Sequence, residues 1–153
     1  MENNKLYFIA TKNGTGKKVE VPNSDHSEEE GLISDPENYI KLEEGDSIAS
    51  CFDINENTPI FCITEKGVGL RFKPSDLRTM GKEATGLRII KLEDGDKLLD
   101  SFEIKDEEKM KIITYGDLTT TLEANDIPIL KRGSRGVTII KLNEGDFVDD
   151  VQI

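Results

Sequence analysis

The chain has 153 residues, about one domain's worth, with 20 Lys and Arg against 31 Asp and Glu. A net charge of −11 repels polyphosphate on average, so nucleic-acid binding would need a segregated basic face. No apolar run approaches the ~18 residues of a membrane span, and Cys51 and Cys62 make neither a disulfide framework nor a CxxC metal knuckle.

Taken from the start, MENNKLYFIA has no signal-peptide pattern, so no secretory leader is expected. Leu6-Tyr7-Phe8-Ile9-Ala10-Thr11 is a β-rich run that ends at Asn13-Gly14, a hairpin turn. Asn13-Gly14-Thr15-Gly16-Lys17-Lys18 lacks the first Gly and the Ser or Thr of a phosphate loop, so it is read as that turn. Residues 22–36 are polar, acidic and without period, and are expected to form an acidic mobile loop. His26 lies there with Asp25, Glu28, Glu29 and Glu30, where a solvated loop outweighs a weak cation site.

Asn38-Tyr39-Ile40-Lys41-Leu42-Glu43-Glu44-Gly45-Asp46 then starts a repeat. It recurs from Arg88 to Asp96 and from Thr138 to Asp146, with the Gly-Asp pairs beginning at 45, 95 and 145. The front runs recur too, as Ile60-Phe61-Cys62-Ile63-Thr64 and Met110-Lys111-Ile112-Ile113-Thr114. Three units follow, at 5–54, 59–104 and 109–153 within one repeat domain, each reading as about four short strands. Short helical turns are expected at Pro74-Ser75-Asp76-Leu77 and Ala124-Asn125-Asp126-Ile127. Four strands per unit is propeller-like, and a unit of this size must borrow cover from its neighbours. The fold class is therefore all-β, a propeller-like repeat of three blades. Asp at the Gly-Asp turns is expected to accept local backbone N–H bonds, since no calcium-loop spacing follows. Cys51 and Cys62 sit in apolar strand contexts and are read as reduced thiols of a cytoplasmic protein.

The second unit resembles a blade of the C-terminal domain of the DNA gyrase A subunit or of its topoisomerase IV counterpart. Thr64, Gly67, Gly69 and Arg71 match the T-x-x-G-x-G-x-R hairpin of that family. Arg78, Met80, Gly81, Lys82, Ala84, Gly86 and Leu87 match R-x-M-G-R-x-A-x-G-V, with Lys82 and Leu87 as conservative departures. Leu92, Gly95 and Asp96 complete the match. In the third unit, Leu130-Lys131-Arg132-Gly133-Ser134-Arg135-Gly136 resembles a degraded form of the family's Q-R-R-G-G-K-G box. The first unit has no such basic loop.

The resemblance implies a β-pinwheel, a propeller-like disc whose blades exchange strands and whose basic rim bends duplex DNA. Three blades then imply a fragment, an incomplete disc, or a homodimer whose two sets of three close a six-blade ring. The family's nucleophile is a Tyr directly after an Arg in another domain. Here the tyrosines follow Leu6, Asn38 and Thr114, so the chain is expected to be no enzyme and to need no cofactor or metal.

Charge is patterned on the repeat. Lys66–Lys91 sums to +5 and 92–108 to −6, while 109–141 sums to +3 and 142–153 to −4. The first unit alone carries −6, the second 0 and the third −1. The expected DNA-binding residues are Arg71, Lys73, Arg78, Lys82, Arg88, Lys131, Arg132 and Arg135. Their binding would be sequence-tolerant and salt-dependent, because Lys and Arg contact phosphates. Topoisomerase subunits are a further expected partner, and no membrane is. The competing reading is an acidic protein-interaction or regulatory module on the same scaffold, without DNA binding.

Overall fold

The structure, a computed structural model, describes residues 4–22, 33 and 35–153. Apart from Pro22, Ile33, Asp35 and Pro36, the acidic segment expected at 22–36, including the His26 cluster, lies outside the described residues.

Eleven strands are described in chain order. They are β1 (Asn4–Thr11), β2 (Thr15–Pro22), β3 (Ile48–Asp53), β4 (Ile60–Thr64), β5 (Val68–Phe72), β6 (Leu87–Arg88), β7 (Leu98–Glu103), β8 (Lys109–Thr114), β9 (Thr119–Glu123), β10 (Val137–Thr138) and β11 (Val148–Gln152). They form three antiparallel sheets ordered β3-β1-β2-β6, β10-β5-β4-β7 and β11-β8-β9. The 3-10 turns at Pro74–Asp76 and Ala124–Asp126 fall where the sequence places helical turns. A third, at Pro36–Tyr39, was not anticipated.

The sheets do not coincide with the sequence units. Short β6, from the second unit, pairs with Thr15 and Gly16 of the first sheet. Likewise β10, from the third unit, pairs with Val68 and Gly69 of the second. Each of the first two sheets thus takes its fourth strand from the next repeat. The third sheet has three strands.

Strand alternation explains how the sheets stack. Successive side chains point to opposite faces, and in β1 and β4 both faces are buried. Phe8 and Ala10 pack with Ile60, Cys62, Ile89 and Ile90 in the core between the first two sheets. Phe61 and Ile63 pack with Met110, Ile112 and Val148 between the second and third. Each Phe, Ile, Met or Val among them contributes roughly 1.5–3 kcal/mol when fully buried. The other face of the first sheet, with Tyr7, Ile9, Val19 and Val21, is covered by Ile33, Tyr39 and Ile40 of the same unit.

The Gly-Asp turns recur as one device. Asp46 Oδ1 accepts from the Asn13 and Ser47 amides, Asp96 Oδ1 from Lys66 and Lys97, and Asp146 Oδ1 from Gly116 and Phe147. Each aspartate ties the first hairpin of its unit to the turn before the last strand. The Thr114 hydroxyl and these amides hold the Asp146 carboxyl below its ordinary range.

Candidate nucleic-acid interface

The box-like segment of the third unit is held against the second. Gly133 N donates to Ile89 O at 2.7 Å, and Lys91 N donates to Ser134 O at 2.9 Å. The Ser134 hydroxyl closes the loop on Lys131 O at 2.6 Å. Gly133 has φ +83°, and a Cβ there would sit 3.4 Å from Arg88 O. Arg132 crosses the junction, donating through Nη1 to Arg88 O at 3.1 Å and through Nε to Asp76 O at 3.3 Å. A cleft of about 260 Å³ is lined by Asp76, Lys131 and Arg132. Another lies under Arg135, with Lys91, Leu92, Glu93 and Asp94.

The matching segment of the second unit, Met80 to Gly86, lies against the first unit in the same way. Lys41 N donates to Ala84 O at 3.1 Å, where Lys91 meets Ser134 one unit later. Lys82 is exposed, with Nζ 6.0 Å from the Tyr39 ring centroid, the outer reach of a cation–π contact. Thus Lys82 and Arg132 hold corresponding places at successive junctions.

Of the eight expected residues, Arg88, Lys131 and Arg132 come together at one junction. Arg135 stands beside Lys91 near that loop, and Lys82 is at the preceding junction. Lys73 and Arg78 are exposed and flank the turn at Pro74–Asp76 that Arg132 touches. Arg71 departs from the expectation. It is 3% exposed, with Nε donating to Ile127 O at 2.9 Å and Nη1 to Asp106 Oδ1 at 2.6 Å. Its guanidinium faces the third unit because Arg71 opposes Phe61, whose ring points the same way.

Sequence reasoning missed Lys17 and Lys18. Lys17 is fully buried, and its Nζ donates to Gly81 O at 2.6 Å and Ala84 O at 3.0 Å. Burial pushes its ammonium down to about 8, against the pull of Glu83. Lys18 is the counterpart of Arg71, since each opposes a Phe on the preceding strand. It pairs with Glu56 at 2.6 Å. The repeat itself was the available signal, because Glu56 and Asp106 are 50 residues apart.

Comparison with known proteins settles the family. Residues 58–105 and 121–153, more than half of the chain, match the family described as DNA gyrase C-terminal domain, beta-propeller. The chain belongs to this family. It is 30% identical over 88 residues to the DNA gyrase A subunit of Chlamydia pneumoniae, spanning 57% of this chain and 10% of that protein. The chain thus spans about a tenth of the length of the gyrase subunits it matches. Its fold resembles the crystal structure of a C-terminal domain of DNA topoisomerase IV, with TM-score 0.81 at 20% identity, covering 98% of this chain and 46% of the other. It also resembles the E. coli ParC C-terminal domain, with TM-score 0.73 at 14% identity, covering 96% and 61%.

All eight expected residues of this gyrase-type domain lie inside the matched segments. Other chemistry finds little material among the described residues. No cluster of His, Cys, Asp and Glu suited to a metal occurs there. No helix there is long and apolar enough to cross a membrane. Burial pushes the Cys51 thiol up to about 12 and Cys62 higher still, so neither forms a thiolate nucleophile near neutrality.

Proposed function

We propose that this gyrase-type domain is a non-catalytic DNA-binding module that bends duplex DNA over the basic residues of its second and third units. The observation that carries this reading is the junction where Arg132 donates to the Arg88 backbone carbonyl, with Arg88 and Lys131 themselves exposed. Lys82 holds the corresponding place at the preceding junction, and exposed Lys73 and Arg78 flank the turn that Arg132 touches. Phosphate contact needs local Lys and Arg rather than net positive charge, so −11 overall is no bar. Gly133 and Gly136, at φ +83° and +77°, let the loop backbone turn tightly against Arg88 and Gly69, which presents Lys131, Arg132 and Arg135 on the loop. Arg71 is not part of the contact set, since its guanidinium is used inside the fold. Partners are duplex DNA, bound without sequence preference, and topoisomerase subunits that perform the strand passage, in the cytoplasm. The chain itself supplies no catalytic group and needs no cofactor.

Fluorescence anisotropy against a labelled duplex tests the proposal. Binding is expected at ~50 mM salt, a condition that favours phosphate contacts. It should be lost on Lys82→Glu combined with Arg132→Glu while the fold is kept. Absence of binding by the unaltered chain at that salt would overturn the reading in favour of an acidic protein-interaction module.

A further inference from the structure

The face that the third sheet turns away from the second is built from different residues than its counterparts. Register makes the comparison direct. In the first sheet the residues facing the next unit are Phe8 opposite Lys18 and Phe52, with Ala10 opposite Gly16. In the second they are Phe61 opposite Arg71 and Phe102, with Ile63 opposite Gly69. In the third they are Lys111 opposite Thr121 and Gln152, with Ile113 opposite Thr119. The aromatic pairs Phe8–Phe52 and Phe61–Phe102, each at 5.4 Å between ring centroids, become Lys111 and Gln152. The buried cation that latches onto the following unit becomes Thr121.

The seat for a donated strand changes as well. Gly14 O accepts from Ile89 N, and Gly67 O from Ile139 N, where the next unit crosses. A Cβ on Gly14 would lie 2.9 Å from Ile90 O, and one on Gly67 would lie 2.7 Å from Ile140 O. Asp117 holds that hairpin position in the third unit, at φ 65°. Similarly, a Cβ on Gly16 would lie 2.9 Å from Ile89 Cγ2, and one on Gly69 would lie 3.1 Å from Ile139 Cγ1. Thr119 holds the matching place. Both side chains stand where a crossing strand would have to pass.

From these substitutions we infer that the third sheet is a terminal surface that refuses a further blade, whether from a second copy or another chain with the same repeat. The opposite end is shut by different means, since Ile33, Tyr39 and Ile40 already cover the first sheet. In that unit the place of β6 and β10 is taken by the turn Pro36–Tyr39, which offers no strand to donate. A repeat array needs polar or covered ends to stay soluble. With both ends closed, two copies do not join their sheets into a six-blade ring. DNA, or any other partner, is left the rim.

The test uses the full chain and a labelled peptide of residues 136–142, the segment that seats on the second sheet. The unaltered chain should leave the peptide free and keep a one-chain mass in light scattering at high concentration. The variant Lys111→Phe, Asp117→Gly, Thr119→Gly should bind the peptide; if it does not fold, Asp117→Gly with Thr119→Gly replaces it. Hydrogen exchange at Thr119 reads the seat in either case. Peptide binding by the unaltered chain, or a two-chain species that protects the Thr119 amide, would overturn the inference. So would a folded variant that still refuses the peptide.

Discussion

Arg71 donates to Asp106 at 2.6 Å across the junction between the second and third units, as Lys18 does to Glu56 one junction earlier. In both pairs the cation is nearly buried and the carboxylate is more than half exposed, at 62% for Asp106 and 52% for Glu56. The two partners should therefore respond unequally to removal. Arg71→Met keeps the packing of the aliphatic stem but strands the Ile127 carbonyl, at a cost of roughly 1–3 kcal/mol. Asp106→Asn removes a solvated charge and should cost under about 1 kcal/mol. Urea unfolding midpoints of the two variants give the comparison. Equal losses would mean that the ion pair, rather than the buried bonds of the arginine, holds the junction.

Glycine at the hairpin tips should matter only where a following unit crosses. Gly67→Ala combines φ +82° with a Cβ 2.7 Å from a backbone carbonyl, so a loss above about 1 kcal/mol is expected. Asp117→Gly at the corresponding tip removes a strained non-glycine residue, with no described residue crossing it. It should leave the thermal midpoint within a few degrees of the parent, since ~1 kcal/mol shifts Tm by about 2–8 °C in domains of this size range. A large loss at Asp117 would show that this tip has a partner after all.

Lys17 carries a pH signature. Its pKa is pushed from 10.5 to about 8 on folding, so between those values the unfolded chain binds more protons. Stability attributable to Lys17 should therefore rise with pH from about 8 to 10.5 and be flat below 8. Lys17→Met should abolish that rise when Tm is measured across the interval. A parent and variant with parallel profiles would place the titration elsewhere.

The fifty-residue period was legible because these turns have a local chemistry: Gly supplies positive φ and Asp accepts the amide of the residue after it. The face on which Arg71 lies was not legible. In β4 and β5 nearly every residue is buried on both sides, so the alternation that separates inside from outside is silent there. Gly69 and Arg71 point to the third unit, while Leu70 and Phe72 point to the first, and only the register reveals it. Lys17 was hidden for a related reason. Its acceptors are carbonyls 64 and 67 residues away, in a loop that folds back from the next unit. The exchanged strands β6 and β10 are two residues long, too short for any periodicity to betray them. The box-like spacing singles out Arg132 in the sequence, but its bond to the Arg88 carbonyl depends on the strand exchange.

The most direct measurement is the salt dependence of duplex binding by the full chain, set against Lys131→Gln with Arg132→Gln. Each phosphate contact adds about −0.9 to the slope of log affinity against log salt. The parent should bind with a steep slope, and the double variant should bind more weakly with a slope shallower by roughly 2. Equal affinities and equal slopes would contradict a DNA path over the junction of Arg88, Lys131 and Arg132.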